Sequence, residues 1–216
     1  IWMLGPVSRE GQKEVYYNII YPAKYKVIIK SNNKVQEDVK KSFEYLILYG
    51  GIGQKSRRGL GKFYSKNIKN KAKIDNLFFS KQTFDSYIEA LNYLGCIYWA
   101  YRVKLKNKKE KYFLGAGKQI INNKSYDRIP SRIFFQLLKL DNNKIQPGYL
   151  LIYNNISKIE LDNFKKFILN EEEIKNTLIK NMENYKTRAN KIFLYRLYQK
   201  INEYLNDKFL KFEEVK

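Results

Sequence analysis

The chain has 216 residues, 44% of them hydrophobic, with 42 Lys+Arg against 21 Asp+Glu and a formal charge of +21. That length allows one domain or two small ones with a sizeable core, while 19 Tyr, 13 Phe and 2 Trp are too many for a solvated coil, and no apolar run approaches the ~18 residues of a membrane span. With no His and a single Cys, Cys96, the chain builds neither a disulfide scaffold, nor a Cys/His metal centre, nor histidine acid–base chemistry.

The sequence opens at Ile1 without Met and shows no secretory or transit segment, so part of the natural chain is expected to precede it. Two strand-like runs come first, Val15–Tyr21 and Tyr25–Lys30, separated by Pro22-Ala23. The second alternates Tyr25, Val27 and Ile29 against Lys24, Lys26, Ile28 and Lys30, the period of a half-buried strand. A helix is predicted from about Asn33 to Tyr49. It carries Val35, Val39, Phe43 and Leu46-Ile47 on one face, takes an N-cap from Ser31-Asn32-Asn33, and ends at Gly50 in a left-handed cap. A glycine-rich stretch follows and leads into a strand near Leu60 to Ser65. A second helix is predicted from Thr83 to Ala100, burying Phe84, Tyr87, Ile88, Leu91 and Leu94, with Gly95 weakening its last turn and Cys96 as a small buried hydrophobe. Lys104 to Lys111 reads as a solvated loop or edge strand, with RNA contact the minority alternative. Ile133–Lys139 and Tyr149–Tyr153 read as strands joined through Asp141-Asn142-Asn143. Beyond Gly148 there is no Gly or Pro. Ile174, Leu178, Met182 and Tyr185, then Phe193, Leu197, Ile201 and Leu205, keep a helical period, so the C-terminal third is predicted helical, its apolar stripe packed on this domain or on a neighbouring subunit. No internal repeat is present.

The most informative stretch is Gly50-Gly51-Ile52-Gly53-Gln54-Lys55-Ser56-Arg57-Arg58-Gly59-Leu60-Gly61-Lys62-Phe63. Five of the 11 glycines fall between Gly50 and Gly61, and the window from Tyr45 to Ile74 holds eight basic residues and no acidic one. Glycines allow positive φ and let a sugar-phosphate strand approach the main-chain N–H groups. Arg57 and Arg58 are planar bidentate phosphate donors, and Lys55 and Lys62 are point charges. The stretch is not a Walker A loop, because Gln54 stands where Gly must precede Lys55-Ser56. Nor is it a dinucleotide fingerprint: counted from Gly51, the last glycine position is Ser56. Both motifs also require a strand–loop–helix order, whereas this loop leaves a helix C-terminus, whose dipole disfavours an anion. The bland alternative is a basic hairpin with no ligand. The overall charge has a bland source too: 34 Lys against eight Arg is what AT-rich coding produces. An acidic count half the basic one nevertheless draws polyanions, and nucleic acid is expected ahead of an acidic protein or a membrane surface.

Gly50-Gly51-Ile52-Gly53 followed by Ser56-Arg57-Arg58-Gly59-Leu60-Gly61 resembles the glycine-rich loop of the RAMP superfamily of CRISPR type III systems. The paired-Arg form after an apolar helix is most similar to the subunit family conventionally numbered first in the Cmr (type III-B) RNA-guided effector complex. Ile1-Trp2-Met3-Leu4-Gly5-Pro6 upstream, and Phe113-Leu114-Gly115 then Arg128-Ile129-Pro130-Ser131 downstream, resemble further parts of that family, so the likeness covers roughly residues 1 to 153. It implies an α+β fold with an RRM-like (ferredoxin-like) core over 1–153, carrying the glycine loop 50–61 and a helical insertion, followed by a helical region over 154–216. It implies a non-catalytic, cytoplasmic, antiviral subunit that binds the CRISPR guide RNA near its 3′ end, and by extension target RNA, beside other RAMP subunits. Membrane, small-molecule substrate, cofactor and metal have no part in that role. Carried over by position, Gly50, Gly51, Gly53, Lys55, Ser56, Arg57, Arg58, Gly59, Gly61 and Lys62 form the RNA contact, with Arg128 and Ser131 as secondary RNA-binding positions; the plain alternative for Arg128 is a brace at the start of a strand. The family carries an N-terminal part that is absent here, so the ferredoxin-like unit is expected to be incomplete or completed by another chain.

Two other functions compete. A RAMP-type guide-processing endoribonuclease would commonly use His, which is lacking, and would carry its glycine loop near the C-terminus; Tyr or Lys would have to substitute. Asp85 with Glu89, an i,i+4 helical pair, and Glu171-Glu172-Glu173 are poor metal-nuclease sites, the latter reading as helix N-terminal charge. A general single-stranded RNA-binding module would stack bases on interleaved Tyr and Lys such as Tyr16, Tyr17, Tyr21, Lys24, Tyr25 and Lys26.

Overall fold

The computed structural model describes residues 28, 30, 32–50, 75–105, 114–115, 119–121, 124–126, 131–153, 158–186 and 212–214. In chain order these form helix α1 (Gln36–Tyr49), strand β1 (Leu77–Ser80), helix α2 (Tyr87–Lys104), strands β2 (Gln119–Ile121), β3 (Lys124–Tyr126), β4 (Ile133–Lys139) and β5 (Ile145–Leu151), helices α3 (Lys158–Leu169) and α4 (Glu171–Lys186), and strand β6 (Phe212–Glu214). The fold is α+β. One antiparallel sheet has the order β4-β5-β1-β6, and β2 and β3 pair in a separate two-stranded sheet. Of the first strand-like runs only Ile28 and Lys30 are described, and neither lies in a strand.

The apolar run Ile133–Lys139 becomes β4 at the predicted residues, and a tight turn returns the chain into β5. Asn143 takes a left-handed φ of 63°, which Asn tolerates, and the Lys144 N–H donates to Asn142 Oδ1 at 3.1 Å. β5 starts four residues earlier than the pattern suggests, at Ile145, and takes in Pro147. A proline in a central strand removes a ladder donor. Here the vacancy faces the end of β1, where Ile145 N–H already donates to Phe84 O at 2.7 Å and Leu151 N–H to Asn76 O at 3.0 Å. Between them the Ser80 carbonyl receives the side-chain amide of Gln146 at 2.8 Å, which substitutes for the missing backbone bond.

Alternation places Phe78, Phe135, Tyr149 and Phe212, all buried, on the face covered by the helices. Tyr149 lies 5.1–5.4 Å from the rings of Phe135, Phe164 and Phe212, and its hydroxyl donates to Leu94 O at 2.6 Å. On the opposite face Leu77, Gln136 and Leu150 are buried as well.

α2 differs from its predicted form. It begins at Tyr87, because the Ser86 hydroxyl caps it by accepting from Ile88 N at 3.2 Å, and Phe84 forms a bridge with Ile145 instead. It runs through Gly95 to Lys104. Ile88, expected inside, is 54% exposed, whereas Ala90, Tyr93, Leu94, Cys96, Ile97, Tyr98, Ala100 and Tyr101 are buried. The helix packs on both the sheet and α4, so burial spreads beyond the single stripe that a 3.6-residue period isolates. The C-terminal helices break at Asn170, whose Oδ1 caps α4 by accepting from Glu173 N at 3.1 Å. Leu161, Phe164, Phe167, Ile168, Ile174 and Leu178 enter the same core as the sheet. The C-terminal stretch read as helical closes on β6, a strand paired with β1.

Candidate nucleic-acid interface

α1 delivers the chain to the glycine-rich stretch. Gly50 does not adopt the expected left-handed cap: its φ is −83° and ψ −148°, and its N–H donates to Leu46 O at 3.0 Å. Glycine is required there for space, since a Cβ would lie 2.6 Å from that same carbonyl oxygen. The last turn of α1 contains no basic residue, so the helix end offers an anion nothing but its carbonyls. Gly51, Gly53, Lys55, Ser56, Arg57, Arg58, Gly59, Gly61 and Lys62 lie outside the described residues, as does Arg128. The strand expected near Leu60 to Ser65 lies outside them too; the described chain resumes at Asp75, and Asn76, just ahead of β1, sits at φ 64° with its carbonyl bound by Leu151 N–H.

The two halves of the downstream motif come together. Leu114 is fully buried and its carbonyl accepts the Tyr98 hydroxyl of α2. Gly115 has a φ of +94°, and a Cβ there would stand 3.0 Å from Ser131 N and 3.2 Å from Ser131 Cβ. Ser131, named for RNA contact, is 7% exposed, and its hydroxyl is committed to its own strand: it donates to Ile133 O at 3.0 Å and accepts from Ile133 N at 3.2 Å. Tyr98 had not been singled out. Its signal in the sequence is a phenol inside an otherwise apolar helix, which needs a partner once buried.

Charge divides unevenly along the chain: eight of the 42 basic residues and none of the 21 acidic ones fall between Tyr45 and Ile74. Within the described part, opposite charges meet each other: Lys81 with Glu213 at 2.9 Å, Lys144 with Asp85 at 3.1 Å, Lys165 with Glu214 at 3.0 Å, Lys175 with Glu171 at 3.1 Å, and Lys104 with Glu173. Asp85 precedes the cap of α2, so it makes no helical pair with Glu89, and Glu171–Glu173 form the first turn of α4 as predicted. Lys104 belongs to α2 rather than to a loop. Burial, then the hydrogen bond to Asp162 at 3.0 Å and the charges of Asp162 and Glu214, push the Tyr153 phenol up. Among the described residues no three Asp, Glu or Cys gather as a metal site, and no helix is long and apolar enough to cross a membrane.

Compared with known proteins, the chain matches no family model, no curated protein and no solved structure.

Proposed function

We propose that this chain is a guide-RNA-binding structural subunit of a RAMP-type CRISPR effector assembly, gripping the RNA backbone through residues 50–62 without cutting it. The observation that carries the reading is the stretch from Tyr45 to Ile74, which holds eight basic residues, no acidic one and five of the chain's 11 glycines. Such a stretch attracts a polyanion. The architecture supports the reading too. The order β1-α2-β4-β5-(α3, α4)-β6 with spatial order β4-β5-β1-β6 is the pattern of a ferredoxin-like sheet, with the β2–β3 hairpin inserted after α2. In this reading the unit spans residues 77–214, needs no strand from another chain, and is preceded in the sequence by the glycine stretch. Burial of Leu77, Gln136 and Leu150 on the second sheet face counts against base stacking at its centre and favours a backbone grip. The proposed ligand is the 3′ region of the guide, the neighbours are other RAMP subunits, and the setting is the cytoplasm.

The test is a salt titration. Arg57→Ala with Arg58→Ala should weaken single-stranded RNA binding about equally for all sequences and lower the slope of log affinity on log salt by about 1.4, or about 0.7 per lost contact. Gly53→Val should weaken binding with little change of slope, because it blocks backbone approach without removing charge. Equal losses from Lys180→Ala with Lys200→Ala, and a silent Gly53→Val, would mean diffuse attraction and end the loop assignment.

A further inference from the structure

β6 is only three residues long, yet the elements around it receive every one of its side chains. It lies along β1 with Phe212 opposite Ser80, Glu213 opposite Phe79 and Glu214 opposite Phe78. Phe212 is fully buried, its ring centroid 5.1 Å from that of Tyr149 and 6.0 Å from that of Tyr93. One wall of this pocket is tied in place, because the Tyr93 hydroxyl and Ser80 Oγ share a hydrogen bond of 2.9 Å. Alternation turns Glu213 and Glu214 to opposite faces of the sheet, and a lysine meets each. Lys81, just past β1, lies 2.9 Å from Glu213. Lys165 of α3 lies 3.2 and 3.0 Å from the two carboxylate oxygens of Glu214, and its ammonium stands 5.2 Å over the Phe78 ring. A strand edge, a pocket for one side chain and charges for its neighbours are the parts with which a sheet recognises an extended peptide.

We propose that the edge of β1, with Lys81, Lys165 and the pocket of Phe212, is a docking site for a partner protein's extended segment, an aromatic residue followed by two acidic ones, and that β6 is the tethered occupant which such a segment displaces. The proposal is independent of the RNA-binding reading, since it uses other residues and a protein ligand. Three observations favour a partner. β6 leaves β1 incompletely paired: its register covers Phe78 to Ser80, and on this side Leu77 has no partner in β6, so a longer segment gains pairing that β6 lacks. The two ion pairs are partly exposed, which makes them selective more than strong, so the ring carries the attachment and a competing ring can replace it. A chain of charge +21 draws an acidic segment and repels a second copy of itself.

The experiment is fluorescence anisotropy on the full chain with a labelled hexapeptide of residues 211–216, Lys-Phe-Glu-Glu-Val-Lys. Phe212→Ala removes the tethered ring and should bind the peptide about tenfold more tightly than the parent, in which β6 competes at an effective concentration on the order of millimolar. The same peptide with Ala in place of Phe should not bind. Removing a buried ring also strains the core, so a second variant keeps Phe212: Lys165→Glu should prefer the peptide Lys-Phe-Glu-Lys-Val-Lys several-fold, whereas the parent should prefer the original. Lys175→Glu, which alters a lysine paired within α4, should leave the original preference unchanged. If Phe212→Ala does not fold, the charge exchange at Lys165 decides alone. A folded Phe212→Ala that ignores the peptide, or a Lys165→Glu variant without the reversed preference, would overturn the proposal. So would a concentration-dependent dimer in sedimentation that disappears with Phe212→Ala, because the segment would then pass to a second copy.

Discussion

Tyr153 shows how one side chain joins the sheet to the helices and makes the junction sensitive to alkali. It follows β5, and its hydroxyl donates to Asp162 of α3 at 3.0 Å. Burial and that neighbouring carboxylate favour the protonated phenol in the fold, so its pKa is raised. The stabilising contribution of a group whose pKa rises on folding is complete below the unfolded value, about pH 10 for tyrosine, and is lost as pH climbs above it. The parent protein should therefore lose stability faster between about pH 10 and pH 11 than Tyr153→Phe, which has no proton to give up. Urea midpoints of the two proteins across that range measure the difference, and parallel decline would refute it.

At the scale of elements, β5 is the strand on which the sheet depends, being paired on both sides. Gly148 lies opposite Phe79 on β1 and Gln136 on β4. A Cβ at this position would stand 2.4 Å from Phe78 O and 2.6 Å from Phe79 Cδ1, and neither neighbouring strand can retreat without breaking its ladder. Gly148→Ala should cost about 1–3 kcal/mol, measured by denaturant unfolding, although alanine has a strand propensity no worse than that of glycine. A neutral result would mean that β1 yields at this point.

The same strand marks where sequence reading stops. β4 was legible to its end residues because its run is long, β-rich and closed by an Asp-Asn-Asn turn. α1 was legible from the spacing of its apolar residues. The early start of β5 was hidden, since Pro147 and Gly148 argue against a central strand until the Gln146 amide is seen filling the gap. β6 was hidden for another reason: Phe-Glu-Glu has no period of its own and is a strand only because β1, far away in sequence, accepts it. The glycine stretch was legible as a motif, whereas the contact between Gly115 and Ser131 is a tertiary fact that no spacing rule announces. Nor does spacing announce that the Ser131 hydroxyl, read as an RNA contact, bonds the Ile133 backbone.

For the whole molecule, the pairing of carboxylates among the described residues has a chemical consequence. Five carboxylates, Asp85, Glu171, Glu173, Glu213 and Glu214, each have a lysine within ion-pair distance, and among the described residues no three acidic groups gather as a metal site. A metal-dependent cut needs carboxylates gathered on one ion. Labelled guide RNA incubated with the purified protein should therefore remain intact over hours, with Mg²⁺ or with EDTA. Products that require the protein and disappear when a single Tyr or Lys is replaced would identify a ribonuclease instead.

The pairing of β1 also sets a timetable for synthesis. Leu77 pairs with Leu150, and Phe78 with Glu214, so a chain growing from its N-terminus makes β1 long before either neighbour exists. Contacts so distant are slow to close, and in the interval Leu77-Phe78-Phe79-Ser80 is an open edge bearing two aromatic rings, the kind of segment that adheres to other chains. The last of these partners is only three residues long, yet it brings Phe212 into the core and sets two glutamates against Lys81 and Lys165. A nascent chain stopped before Phe212 would keep that edge uncovered and prone to adhere to other chains until those three residues arrive.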